Sequence, residues 1–220
     1  MERTPEAIAE LVADLHDQDE FVRSQAAFAL GVLGAPAVAH LTPLLRHPDR
    51  AVRLRVAWTL GVIGGPAVPE LLRMVEDPNR QVRIEAVRIL GVIGEGRALN
   101  HLFLALSDPD AEIAARAARS LGKIGDPRSF HALVTALRHE KPDVRYEAAM
   151  ALTMLHQKDA LAALDEALAL EQGETSWGAS VAEAFGRARA EIDARKDEPG
   201  NEISQLNLLL EKLRNDQLHS

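Results

Sequence analysis

Residues 49–64 read Asp49-Arg50-Ala51-Val52-Arg53-Leu54-Arg55-Val56-Ala57-Trp58-Thr59-Leu60-Gly61-Val62-Ile63-Gly64. Related phrases occupy residues 19–34, 79–94 and 110–125, and a more divergent copy occupies residues 143–156. Measured from the first apolar residue after the polar start, successive copies lie 30, 30, 31 and 31 residues apart. Because a fixed period of this length is typical of stacked supersecondary units, the sequence predicts a repeat protein.

Each repeat is predicted to contain two antiparallel helices. Within the quoted phrase, apolar residues recur at helical spacing, Asp49 is suited to cap the helix start, and Gly64 is suited to end it. A first helix precedes each phrase. The predicted pairs are residues 5–15 with 20–34, 36–46 with 50–63, 66–76 with 80–93, 96–106 with 111–124, and 127–138 with 143–155.

The period weakens after residue 156. Residues 158–171 and 177–195 are predicted to form a capping helix pair around a turn at 173–176, since the open end of a stacked array must be covered. We expect a solenoid domain at residues 1–195, a linker at 196–201 and a C-terminal amphipathic helix at 202–220.

The composition excludes several classes of site and partner. A formal net charge of −8 argues against a general binder of nucleic acid or of an anionic membrane, since phosphate groups require a basic surface. The chain has no cysteine, so disulfides, thiolate metal sites and thiol catalysis are excluded. We see no apolar run of membrane-spanning length and no signal peptide, and we expect a soluble, cytoplasmic protein.

The recurring phrase resembles the HEAT repeat, in the short form found in phycobilin lyase subunits and in many bacterial and archaeal scaffold proteins. The resemblance is good over residues 5–156 and weaker over 157–195. It implies an all-α fold, namely a right-handed α-solenoid of about five helix pairs followed by the cap pair and the terminal helix, with the second helices lining the concave face. The matching residues are Asp49, Val52, Arg53, Leu60, Gly61, Ile63 and Gly64, with their equivalents in the other copies.

Some enzymatic members of this family can be recognised by particular residues in the repeats. A resemblance to deoxyhypusine hydroxylase would place His-Glu pairs on the second helices to hold two irons, and positions 24–25, 54–55, 84–85, 115–116 and 146–147 carry none. The eight histidines do not cluster at metal-ligand spacing. We therefore expect no metal, no cofactor and no catalytic residue, although a phycobilin-lyase-type subunit stays open because no single motif excludes it.

Two recurring positions are assigned to structure. The first glycine of each Gly-x-x-Gly pair, such as Gly61, lies inside a helix, where it costs about 1 kcal/mol, and we expect it to admit a neighbouring helix. A recurring arginine is expected to bridge to a capping aspartate or to loop carbonyls of adjacent repeats. The series is Arg23, Arg53, Arg83 and Arg145, and Ala114 interrupts it in the fourth repeat.

The second helices present a ridge opposite their core residues. At about 100° per residue, Leu60 lies on the core side with Val52, whereas Trp58 and Val62 lie on the opposite side. Equivalent positions give a ridge that is apolar in the first repeats, basic in the centre and rich in Met and Tyr at its end. The predicted partner-binding residues are Phe28, Val32, Trp58, Val62, Arg88, Arg116, Arg119, Lys123, Tyr146, Met150 and Met154.

Protein-binding hot spots are enriched in aromatic residues and arginine, and this ridge contains both. We expect a non-enzymatic scaffold that captures a protein or peptide segment along this ridge, which would suit an acidic amphipathic helix or an acidic peptide. One alternative is that neighbouring repeats bury the ridge. Another is a lyase-type enzyme subunit whose groove holds a bilin or other tetrapyrrole. We expect no nucleic acid and no membrane as partner.

The C-terminal segment carries a second interaction signal. Its apolar residues follow three- and four-residue spacing, and an isolated helix of about 16 residues is marginal in water, so its apolar face requires a mate. We expect self-association as a homodimer, or docking on the chain's own surface. The residues predicted to mediate it are Ile203, Leu206, Leu209, Leu210 and Leu213.

Overall fold

The computed structural model describes residues 4–195. Twelve α-helices and several short 3₁₀ turns make up this range, which contains no β-strand. The described residues divide into two compact units, with the boundary between Ile124 and Gly125. Consecutive helices pair within each unit, so the predicted all-α solenoid of helix pairs is confirmed.

The first unit contains four helix pairs. The second helix of every pair is 14 residues long, and each begins where the sequence predicts. The pairs are α1 (Pro5–Asp14) with α2 (Glu20–Leu33), α3 (Ala35–Leu41) with α4 (Arg50–Ile63), α5 (Val68–Met74) with α6 (Arg80–Ile93), and α7 (Leu99–Ala105) with α8 (Ala111–Ile124).

The second unit contains two further pairs, and the later pair occupies the place of the predicted cap. α12 packs against both α10 and α11. The pairs are α9 (Phe130–Ala136) with α10 (Pro142–Leu155), and α11 (Ala160–Leu168) with α12 (Val181–Ala194). The predicted linker and C-terminal helix lie outside the described residues, and so do the residues predicted for self-association, Ile203, Leu206, Leu209, Leu210 and Leu213.

Polar caps and glycines set the limits of the second helices. The Asp49 carboxylate accepts a hydrogen bond from the Ala51 N–H at 2.8 Å, and the equivalent side chains before α2 and α6 do the same. At the other end, Gly64 and Gly94 have φ values of 70° and 76°, a conformation that costs little only for glycine.

One predicted first helix is interrupted. The helix expected over residues 36–46 ends at Leu41, and a 3₁₀ turn spans Thr42–Arg46. Pro43 lies just inside that turn and has no N–H to continue an α-helix. The loop that follows nevertheless brings the chain to the predicted start of α4.

The last described helix starts later than predicted. α12 begins at Val181 rather than at Trp177, because the Ser180 hydroxyl caps it by accepting a hydrogen bond from the Glu183 N–H at 3.2 Å. Trp177 therefore lies in the loop between α11 and α12. The exposed Trp177 side chain is therefore part of the loop surface of the second unit rather than of a helix.

The inner glycines of the second helices allow the close approach predicted for them. A Cβ placed on Gly31 would lie 2.8 Å from Val62 Cγ1, and one placed on Gly61 would lie 3.3 Å from Val92 Cγ1. Both distances are shorter than the ordinary carbon–carbon contact distance of about 3.5–4.0 Å. Each glycine thus accommodates a valine from the next second helix.

The closest approach is at Gly91. A Cβ there would lie 2.8 Å from the backbone Cα of Ser120 and 2.5 Å from its Cβ. The Ser120 hydroxyl donates a hydrogen bond to the Val87 carbonyl at 3.0 Å, so a polar group as well as packing joins α8 to α6.

The recurring arginines bind loop carbonyls, but those of their own repeat rather than of an adjacent one. Arg53 donates to the carbonyls of His47 and Pro48, both at 2.8 Å. Arg83 binds its own loop in the same way and also reaches the next repeat, where its Nε lies 3.2 Å from the Asp108 carboxylate. The arginine closes the turn between the two helices of a pair.

Ion pairs add contacts between successive loops. Arg46 pairs with Asp77, and Arg80 pairs with Asp110 and Glu112. The hydrogen bond from Arg80 holds the pKa of Asp110 below its ordinary value. Because exposed pairs contribute at most about 1 kcal/mol each, the packing at the inner glycines is the larger cause of repeat stacking.

Alanine at two inner glycines should have different effects. Gly91→Ala is expected to destabilise the protein by about 1–3 kcal/mol, because its methyl group meets the backbone of Ser120. Gly61→Ala is expected to change stability by less than about 1 kcal/mol, because Val92 needs to yield only slightly and alanine gains about 1 kcal/mol in helix propensity. Urea unfolding of both variants measures the difference, and equal stability would contradict the close-contact account.

Candidate functional site

Most of the large exposed apolar side chains of the first unit lie on one face of its second helices. In α4, Val52 and Leu60 are buried, whereas Trp58 and Val62 on the opposite side are about half exposed. The helical period separates these two sets, as predicted. The exposure disagrees with the alternative that neighbouring repeats bury this part of the ridge.

Equivalent residues of α2 and α6 continue this face. Because α4 packs against both α2 and α6, the exposed side chains extend over three neighbouring helices. Contiguous exposed apolar patches mark interaction sites. We call this set the apolar stripe, and its members are Phe28, Val32, Trp58, Val62 and Val92, which are between 46% and 68% exposed.

The stripe is held by the contacts that stack the repeats. Val62 and Val92 each present one side to the surface and place a Cγ1 methyl at the inner glycine of the preceding second helix. A change in the stacking of these helices would therefore displace the stripe residues directly.

Two more residues extend the stripe and were not predicted as binding residues. Phe21 is exposed and lies seven residues before Phe28, which places it two turns away on the same face of α2. Leu54 is also exposed, near the start of α4. The spacing of Phe21 is visible in the sequence, but it falls in the first turn, before the repeated part of the ridge.

The basic residues predicted at the centre of the ridge are partly paired within their own helices. Arg88 Nη2 lies 2.7 Å from Glu85 Oε2, and Glu85 is only 5% exposed. Arg116 Nη2 lies 2.7 Å from Glu112 Oε1. The sequence places these arginines on the ridge but does not show that a carboxylate one turn earlier already binds each of them.

The stripe changes from apolar to basic at α8. Lys123 holds the position that valine occupies in the three preceding repeats, and it is exposed. Arg119, one turn earlier, is also exposed. The surface of the first unit therefore runs from aromatic and aliphatic groups on α2 and α4 to cations on α8.

A histidine pair lies near the start of α4. The rings of His16 and His47 have centroids 5.1 Å apart, and Arg55 donates a hydrogen bond to the Leu15 carbonyl. Burial, followed by the charges of His47 and Arg55, lowers the pKa of His16. The lowered pKa favours the neutral form of the His16 imidazole beside the Arg55 guanidinium.

The predicted residues of the second unit form a separate group on α10. Tyr146 and Met150 are partly buried, and Met154 is exposed. The ring centroids of Tyr146 and Trp177 are 5.6 Å apart with an interplanar angle of 81°. Arg187 donates a hydrogen bond to the Tyr146 hydroxyl at 3.2 Å.

The sequence prediction did not include Trp177 or Arg187 among the binding residues. It assigned Trp177 to the start of a helix, whereas Trp177 lies in a loop and packs on Tyr146. The available signal was a single tryptophan within the polar run 172–180, directly before Gly178.

A notch of about 560 Å³ lies beside the loop between α9 and α10. Its walls include Leu137, Ala167 and Leu170. Its two least exposed charged groups, Arg145 and Glu171, are paired with each other at 2.6 Å. The notch therefore combines an apolar wall with a rim of polar residues, of which Arg145 and Glu171 are paired with each other.

Within residues 4–195, no group of three or more His, Asp and Glu side chains is arranged to hold a metal ion. No helix of that range is both long enough and apolar enough to cross a membrane.

Comparison with known families gives two matches. The pattern of HEAT repeats matches residues 38–103 and 99–181, which together span well over half of the chain. The pattern described as the PBS lyase HEAT-like repeat matches residues 22–47. Among curated proteins, none matches at a significant level.

Solved structures of similar fold include natural and designed repeat proteins. The complex of CpcE and CpcF of phycocyanin lyase from Nostoc sp. PCC7120 is 22% identical, with 73% of this chain and 98% of that chain covered and a TM-score of 0.60. Kap95p bound to RanGDP is 14% identical, with 95% and 34% covered and a TM-score of 0.61. A designed armadillo repeat protein in complex with a (KR)4 peptide is 18% identical, with 84% and 99% covered and a TM-score of 0.48. At these identities, the first two likenesses concern the fold alone.

Proposed function

We propose that this chain, which belongs to the HEAT-repeat family, is a non-enzymatic scaffold that binds a segment of a partner protein on the apolar stripe. The observation that carries the proposal is the row of half-exposed apolar residues on α2, α4 and α6, which includes Phe28 and Trp58. Such a row costs solubility and contributes little to the core, so its maintenance on three neighbouring helices favours a binding role.

The energetics require more than apolar contact. Burying the remaining exposed area of the five stripe residues would contribute roughly 4–7 kcal/mol, about half of the value for full transfer of such side chains. Association itself costs at least about 4 kcal/mol. A stable complex therefore needs polar contacts as well, and the basic end of the stripe on α8 can supply them.

An amphipathic helix with an acidic end fits this surface. Packed helices lie about 8–10 Å apart, and seven residues of a helix rise about 10.5 Å. A partner helix that crosses α2, α4 and α6 can thus place an apolar residue every seven positions over successive helices. Carboxylates at one end would then meet Lys123, with Arg88, Arg116 and Arg119 nearby on the predicted ridge.

Tyr146, Met150 and Met154 are proposed as a further contact region in the second unit. They belong to the same predicted ridge and combine an aromatic residue with two flexible thioether side chains, which adapt well to varied partners. Their contribution is separate from that of the apolar stripe.

We expect loss of partner binding when the aromatic anchors are removed. Phe28→Ala combined with Trp58→Ala should weaken the complex by about 100-fold or more, since hot-spot truncations cost about 2 kcal/mol or more each. Leu104→Ala is the matched control, because Leu104 is an equally exposed apolar residue of the first unit but lies on a first helix. The experiment is capture from extract of the source organism on immobilised full chain, followed by titration with a synthetic peptide of the captured protein's amphipathic segment.

Three results decide the matter. The peptide must bind the wild type and the Leu104→Ala protein, and it must lose affinity for the double variant. Urea unfolding of the double variant should stay close to wild type, since exposed substitutions typically change stability by no more than about 0.5 kcal/mol. Equal binding by all three proteins would refute the stripe as the docking surface.

The C-terminal residues Ile203, Leu206, Leu209, Leu210 and Leu213 are proposed to mediate self-association. Because the predicted helix of about 16 residues would need an apolar mate, we expect the full chain to form a dimer. Leu206→Asp with Leu210→Asp should convert it to a monomer. Sedimentation equilibrium at several concentrations measures this, and a monomeric wild-type chain would end the proposal.

A second candidate function is that of a lyase-type enzyme subunit that binds a bilin. It is favoured by the match of residues 22–47 to the PBS lyase HEAT-like repeat and by the fold shared with the CpcE–CpcF complex. In this case phycocyanobilin added to the full chain should change its visible absorption spectrum, because a bound tetrapyrrole is held in a more extended conformation. An unchanged spectrum at micromolar protein and bilin would remove this candidate.

A further inference from the structure

The loop between α11 and α12 is held rigidly in the second unit. The Thr175 side chain is buried, and its hydroxyl accepts a hydrogen bond from the Ala179 N–H at 2.8 Å. The Ser176 N–H donates to the Asp143 carboxylate at 2.6 Å, which fastens the loop to the start of α10. Trp177 directly follows these two anchored residues, so its backbone position is fixed before any ligand arrives.

Trp177 is a large apolar side chain that the fold leaves 54% exposed on this fixed loop. Its ring packs edge-to-face with Tyr146, and Arg187 on α12 donates to the Tyr146 hydroxyl. We call these three residues the aromatic ledge. A half-exposed tryptophan on an anchored loop, packed on a tyrosine that an arginine binds, has the composition of an interface hot spot and loses little conformational entropy on binding.

The hydrogen-bonding groups of the ledge are mostly donors. Within residues 4–195, the indole N–H of Trp177 has no acceptor, and Arg187 makes no ion pair with a carboxylate. Arg187 is directed to the Tyr146 hydroxyl although Glu183 lies one turn before it on α12. The hydroxyl accepts from Arg187 and keeps its own proton for donation.

We propose that the aromatic ledge binds a peptide segment that presents an apolar side chain next to a carboxylate. The apolar side chain packs on the indole of Trp177. The carboxylate accepts hydrogen bonds from Arg187 and the Tyr146 hydroxyl, which gives the charge-assisted contacts that are the stronger kind. This surface is distinct from the apolar stripe and adds a second, independent recognition element to the scaffold.

The test uses the full chain with its tryptophans labelled by nitrogen-15. The two indole signals, of Trp58 and Trp177, are assigned with Trp177→Phe. The probe is N-acetylphenylalanine, which carries an apolar ring and a carboxylate, and its control is N-acetylphenylalaninamide, in which the charge is absent. We expect the acid to shift the Trp177 signal with a dissociation constant on the order of 1–10 mM. The amide should bind at least about tenfold more weakly.

Variants separate this recognition from a general affinity for aromatic solutes. Arg187→Gln should weaken binding of the carboxylate probe about tenfold and leave binding of the amide unchanged. Arg189→Gln is the matched control, because it removes the same charge from α12 where the arginine pairs with Asp165 on α11 instead. Retained binding in Arg189→Gln with loss in Arg187→Gln supports the proposal.

The opposite results would overturn it. These are an unshifted Trp177 signal, equal affinity for the carboxylate and the amide, or unchanged affinity in Arg187→Gln. Because the readout is the Trp177 signal in the second unit, failure here leaves the apolar stripe untested, and failure of the stripe leaves this result intact.

Discussion

The stacking of the first unit depends on the close contact that α4, α6 and α8 each make with an inner glycine of the second helix before them. In the first unit, methyl groups of Val62 and Val92 lie 2.8 and 3.3 Å from the positions that a Cβ of Gly31 and Gly61 would take, and Ser120 approaches Gly91 still more closely. A helix interior glycine costs about 1 kcal/mol, so three of them are a local loss. The loss is offset because the contact lets small aliphatic residues form a dense core.

This contact also explains the exposed surface. A helix that turns Leu60 into the core and a valine toward the preceding glycine must turn Trp58 outward, because the helical period fixes the angle between them. The apolar stripe is therefore a consequence of the stacking geometry combined with the choice of large apolar residues at outward positions. In α8 the same outward positions carry Arg119 and Lys123, so the stacking geometry is the same while the exposed side chains are basic rather than apolar.

Most of the fold was predictable because its determinants are local. The capping side chain of Asp49 and the helix-ending Gly64 each act within one turn, and the role of the inner Gly61 can be recognised from its repeated spacing. The location of the ridge followed from the same period. Sequence reasoning had less access to side-chain partners, since Arg88 could equally have pointed to solvent or to Glu85. It also misplaced Trp177, because Trp177 and Val181 have helical spacing, while the hydroxyl of Ser180 caps a helix that begins only at Val181.

The central claim, that the apolar stripe is a docking surface, is tested most directly by hydroxyl-radical footprinting of the full chain. Oxidation of Phe28 and Trp58 is measured by mass spectrometry, with purified protein and with protein in native extract, and Leu104 serves as the internal reference. We expect the two aromatic residues to be oxidised readily in the purified protein and to become protected in extract while Leu104 does not. Equal oxidation of Phe28 and Trp58 under both conditions, relative to Leu104, would contradict the account.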